Sequence, residues 1–149
     1  MTSAESGAPS GDASVAAFVA LSSALTGYEE TTLWGTGMAR VYHDFVAEAL
    51  DPGELERLLR NSSPVDRMMQ GAHGGELRAI IKLWYLGTWQ VGPFPTDGSV
   101  TYPIAPQAYV EALAWKAMGG HPQGAKQPGY ASWTVPPVGV SHDDKDAAP

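Results

Sequence analysis

The sequence contains no cysteine. That excludes disulfides, thiolate nucleophiles, iron–sulfur ligation and cysteine zinc sites within the chain. It leaves the compartment open, because a chain without disulfides works in either redox setting. Basic residues are scarce, 9 Lys and Arg against 16 Asp and Glu, for a net charge of −7. Nucleic acid demands a basic face to displace counterions, and an anionic membrane surface attracts basic segments, so neither suits this chain as a partner. No Lys or Arg precedes Arg40, so the sequence as written begins with no secretory or twin-arginine signal. No apolar run approaches the ~20 residues of a membrane span. There is also no Gly-rich dinucleotide fingerprint, no P-loop and no nucleophile-elbow serine.

What is present suits a small globular domain. The 149 residues are 44% hydrophobic, a single-domain length with enough apolar side chains for a core. Residues 1–13 are Ser-, Gly- and Ala-rich and read as a disordered segment. Residues 138–149, with Asp143, Asp144, Lys145 and Asp146, read as a disordered acidic tail. Between them, 14–137 forms one domain of mainly α class, with long ordered loops and an extended Pro/Gly-rich C-terminal arm.

Helical periodicity places the elements. Val15, Phe18, Val19, Ser22 and Leu25 predict a helix over 14–25, capped by Ser14 and followed by Gly27. Leu33, Met38, Val41, Tyr42, Phe45 and Ala49 form one stripe over 32–49, weakened at Gly35 and Gly37. Asp51 and Pro52 have the pattern of a cap and first helical position before Leu55, Leu58 and Leu59. A short helix over 64–70 precedes Gly71, Gly74 and Gly75, read as a helix–helix linker. Leu77, Ile80, Ile81, Trp84, Tyr85, Thr88 and Trp89 predict the most apolar helix, over 76–89. Residues 91–103 read as a loop, and Tyr109, Val110, Leu113 and Met118 as the stripe of a last helix over 106–118.

Catalytic and metal-binding patterns are weak. No two of His43, His73, His121 and His142 have the i, i+4 spacing that grips a metal from one helix face. His43 and Asp44 are neighbours, about 100° apart on a helix, and so are no ready-made dyad. On these patterns the chain is expected to hold no catalytic residue, no cofactor-binding residue and no metal ligand. The unusual feature is aromatic, 5 Trp and 6 Tyr. Such amphipathic rings serve either a core or a protein interface. Trp84, Tyr85 and Trp89 span less than two turns and cannot all face one stripe. With Trp115, and with Tyr130 and Trp133 on the arm, they are the candidate partner-interface residues.

Three stretches in order, FVALSSALTG over 18–27, IIKLWYLG over 80–87, and YVEALAWKAM over 109–118 with KQPGYASW over 126–133, resemble one family. It is the small (gamma) subunit family of membrane-associated FAD-dependent sorbitol, glucose and fructose dehydrogenases. The resemblance spans about 15–137. It implies a non-catalytic subunit that holds no cofactor and binds, stabilises or matures a large catalytic flavoprotein of the glucose–methanol–choline type. FAD and the oxidation of sugar or polyol belong to that heterodimer partner, which often passes electrons to a cytochrome c subunit. The family implies a periplasmic location with the partner; a chain with no signal of its own would be cytoplasmic unless it travels on the partner's. Two other readings stay open: a transient folding chaperone for the same flavoprotein, and an unrelated small helical enzyme or ligand-binding protein using Tyr42, His43 and Asp44.

Overall fold

The computed structural model describes residues 11–93, 95–99 and 101–122. The expected arm with Tyr130 and Trp133, and the expected acidic tail, lie outside these residues. The described chain is mainly α, with eight helices in order: α1 (Gly11–Thr26), α2 (Glu30–Gly35), α3 (Ala39–Ala49), α4 (Glu54–Arg60), α5 (Val65–Gln70), α6 (Gly74–Leu86), α7 (Pro106–Val110) and α8 (Leu113–Met118). No described helix is long and apolar enough to cross a membrane.

The two longest helices organise the rest. α1 buries Val15, Phe18, Val19 and Ser22, spaced three and four apart, so one stripe of this 16-residue helix faces inward. α6 buries Leu77, Ile80, Leu83 and Trp84 on the same principle. α1 packs against α2, α3, α4 and α6, while α6 packs against α1, α5, α7 and α8. Most of the core is therefore an α1–α6 seam covered by shorter helices. Burying each large side chain contributes about 1.5–3 kcal/mol.

An aromatic group fills the centre of this seam. Trp84 lies stacked near Phe18 at 6.3 Å between ring centroids and meets Tyr42 edge-on at 4.8 Å. Edge-to-face pairing adds about 0.5–1.5 kcal/mol beyond the buried area. Trp84 was a candidate interface residue, and here the structure corrects the expectation: its side chain is fully buried within its own domain. The ring meets Phe18 of α1 and Tyr42 of α3 at once.

Several boundaries differ from the periodicity for identifiable reasons. α1 starts at Gly11, three residues before Ser14, so residues 11–13 are helical. The expected helix over 32–49 is two helices, because Gly37 adopts a positive φ of 73° between them. The break shifts the phase of α3, which buries Ala39, Tyr42 and Val46 and turns Val41 to solvent. Pro52 lies in a turn rather than in the helix, and Gly53 precedes α4 instead. The expected helix over 106–118 is also split, because Ala112 leaves helical geometry with ψ 130°. Ala108 and Leu113 take the buried places there, and Met118 is 69% exposed.

Gly87 shows why α6 stops before Thr88 and Trp89. Its φ is +72°, its N–H donates to the Leu83 carbonyl at 2.9 Å, and its own carbonyl accepts from the Ile104 N–H at 2.8 Å. A Cβ at this position would lie 2.7 Å from the Ala108 carbonyl oxygen. Only glycine allows both the left-handed turn and the close approach of α7. The loop from Gly87 to Ala105 is thereby pinned at both ends.

Candidate functional site

The aromatic candidates separate into three environments. Trp84 belongs to the core. Tyr85 and Trp89 are half-buried on the flank: the Tyr85 hydroxyl donates to the Thr26 carbonyl at 2.9 Å, and Trp89 meets Phe45 edge-on at 5.9 Å. Partial burial and the neighbouring Tyr28 raise the Tyr85 pKa. Tyr85 thus ties α6 to the end of α1 and Trp89 packs on α3, each leaving part of its surface outside.

Trp115 belongs to a different surface. Its ring meets Tyr109 edge-on at 5.4 Å, and its indole N–H donates to the Tyr109 carbonyl at 2.8 Å. It borders a cleft of about 250 Å³ whose walls include Thr36, Val110, Ala112, His121 and Pro122. Trp34, at the end of α2 beside this cleft's Gly35 wall, is exposed, as are Tyr102, Tyr109 and Met118. One-turn helices explain the exposure of Tyr109 and Met118. α7 has 5 residues and α8 has 6, too short to present an inward stripe and also cover the rings projecting from it. Gly120, His121 and Pro122 form part of the cleft's wall.

His43 corrects another expectation. Its Nδ1 lies 2.8 Å from Asp44 Oδ1, and its Nε2 lies 2.8 Å from Ser14 Oγ. Neighbouring positions on a helix diverge at Cβ, but here the short Asp44 side chain reaches the imidazole. The order serine, imidazole, carboxylate is that of a general-base relay. Its setting is different: Asp44 is 67% exposed, so water screens its charge, and Ser14 sits inside a regular helix rather than on a sharp turn. The His43 ring also packs edge-on against Phe18 at 5.9 Å. The hydrogen-bond chain fastens α1 to α3, a junction strengthened on the surface by the Arg40–Asp12 ion pair. Tyr42, grouped with His43 and Asp44 in the ligand-binding reading, points into the core instead. Burial, helped by the charge of Glu111, pushes its phenol pKa well above the ordinary value.

A third cluster is invisible to sequence spacing. Glu54, His73 and Glu76 come from the first turn of α4, the residue before α6 and the first turn of α6. One potential ligand atom from each lies within 4.8 Å of the others. His73 Nδ1 is 3.1 Å from Glu54 Oε1, while Glu54 Oε2 accepts the Asp51 N–H at 3.3 Å. The spacing of paired histidines on one helix does not capture a set drawn from two helices and a turn. The usable signal is Gly74, which lies so close to the Met69 carbonyl that no side chain fits there.

Compared with protein-family models, curated proteins and solved structures, the chain matches none.

Proposed function

We propose that this chain is the non-catalytic small subunit of an FAD-dependent sugar or polyol dehydrogenase, binding and stabilising or maturing its large flavoprotein partner. The observation that carries the reading is the division of labour among the three resembling stretches. The first lies in α1 and the second in α6, and they meet through Phe18 and Trp84 to build the core. The 109–118 part of the third falls on α7 and α8, the helices that leave Tyr109 and Met118 exposed, with Tyr102 just before them; its 126–133 part lies outside the described residues. Aromatic residues and methionine on a rim beside a cleft are the composition of partner-binding surfaces. An acidic chain with such a rim suits a protein partner better than a polyanion.

Co-expression with a large flavoprotein of the glucose–methanol–choline type tests the reading. The expected result is a yellow complex that stays together through size exclusion and oxidises a sugar with a dye acceptor, with activity lost when the small chain is omitted. A flavoprotein that folds, binds FAD and turns over fully without this chain defeats the proposal. Release of the small chain once FAD is bound replaces a permanent subunit by a transient chaperone.

A further inference from the structure

We infer that Glu54, His73 and Glu76 form a binding site for one zinc-class divalent cation at the junction of α4 and α6. The donor set fits the ion. Imidazole nitrogen with carboxylate oxygens is the ligand mixture of zinc and its transition-metal neighbours, whereas magnesium and calcium take oxygen alone. The charge also fits: two carboxylates and a neutral imidazole balance a dication, on a chain whose net charge is −7.

Geometry requires only side-chain adjustment. Ligand atoms around a tetrahedral zinc at about 2.0–2.2 Å are roughly 3.3–3.6 Å apart. Here the three atoms already lie within 4.8 Å of one another. The 3.1 Å approach of His73 Nδ1 to Glu54 Oε1 brings two of them together across the helix junction. The cation takes the place of the Nδ1 proton, which leaves the remaining ring proton on Nε2. Glu54 is oriented before the ion arrives, because its second oxygen accepts the Asp51 N–H and so fixes the direction of the carboxylate. All three residues are half-buried, so the ion is reachable from solvent but less screened than on an open surface. Three protein ligands leave a fourth position for water.

The ion would fasten the start of α4 to the start of α6. That effect is independent of the accessory-subunit reading, which concerns the α7–α8 rim, so either idea can fail alone. The test titrates the full chain with zinc by calorimetry and with cobalt by visible absorption, following thermal unfolding alongside. The expected result is one ion per chain, a cobalt d–d band of low-coordinate type, and a melting temperature several degrees higher with zinc. His73→Ala and Glu76→Gln should each weaken binding by at least about tenfold and remove the thermal shift. Glu54→Gln, which keeps the shape of the α4 turn, should do the same, and His142→Ala should change nothing. No binding up to about 1 mM zinc overturns the site, as does binding that survives His73→Ala or is lost with His142→Ala.

Discussion

The α1–α6 seam and the α7–α8 rim are built from the same kinds of residue and treat them in opposite ways. In the seam, Phe18, Tyr42 and Trp84 are sealed by three helices of 16, 11 and 13 residues. On the rim, Tyr109 and Trp115 pair with each other but remain in contact with solvent, and Tyr102 and Met118 are 76% and 69% exposed. The difference is one of element length. A helix of three or four turns can present a continuous apolar stripe, whereas a single turn offers one or two inward positions and sends its other side chains outward. Aromatic content alone thus does not set role: Tyr42 on the 11-residue α3 is sealed, whereas Tyr109 on the 5-residue α7 is exposed.

The largest effect should come from opening the seam. Trp84→Ala should cost about 3–5 kcal/mol, since the cavity borders Phe18 and Tyr42 on facing helices. Urea unfolding followed by circular dichroism measures it. A loss under about 1 kcal/mol would mean that the seam is no better packed than the rim, and the contrast would collapse.

The next effect falls where the two regions join. Gly87→Ala adds a Cβ at positive φ against the Ala108 carbonyl, and should cost about 2 kcal/mol or more. Because Gly87 also accepts the Ile104 N–H, hydrogen exchange should quicken at Ile104 and in α7 before it quickens in α1. Equal acceleration throughout would show that seam and rim open as one unit.

How much of this was legible in the sequence follows the same division. In α1 and α6 the buried positions repeat with helical period, so Phe18, Ile80 and Trp84 could be placed inside a helix in advance. What periodicity lacked was the partner across the seam, and Trp84 therefore stayed a candidate for another protein's surface. Phase was lost wherever a single backbone angle reset it, at Gly37 before α3 and at Ala112 between α7 and α8. Those resets decide that Val41 and Met118 face solvent. The Glu54, His73 and Glu76 set, and the Ser14 to His43 bond, depend on how distant segments dock, which one-dimensional spacing does not encode.

A smaller effect probes the interior of the seam. The Tyr42 hydroxyl and the Trp84 indole N–H are buried with no hydrogen-bond partner among the described residues. Tyr42→Phe should leave stability at neutral pH unchanged or raise it by about 1 kcal/mol. The pH dependence follows from the raised phenol pKa, caused first by burial and then by Glu111. The folded state keeps the phenol proton above the pH at which the unfolded chain releases it. Stability linked to that proton is therefore complete below about pH 10 and is lost as the pH rises further. The wild-type urea midpoint should fall more steeply than that of Tyr42→Phe above about pH 10, and parallel curves would show that the hydroxyl reaches water.

The smallest effect on folding should accompany the largest effect on assembly. Tyr102→Ser and Met118→Ser remove rim side chains that the domain itself hardly covers, so each should change stability by no more than about 0.5 kcal/mol. If the rim seats the flavoprotein, the same pair should weaken the complex by at least about tenfold, because aromatic and methionine anchors carry a disproportionate share of interface energy. A matched control, Val41→Ser on the exposed face of α3, should leave both quantities unchanged. Loss of folding stability on the rim would make Tyr102 and Met118 part of the domain's own packing. Stable variants that bind the partner normally would move the interface away from α7 and α8, and Tyr85 and Trp89, half-buried on the flank of the seam, would become the next residues to replace.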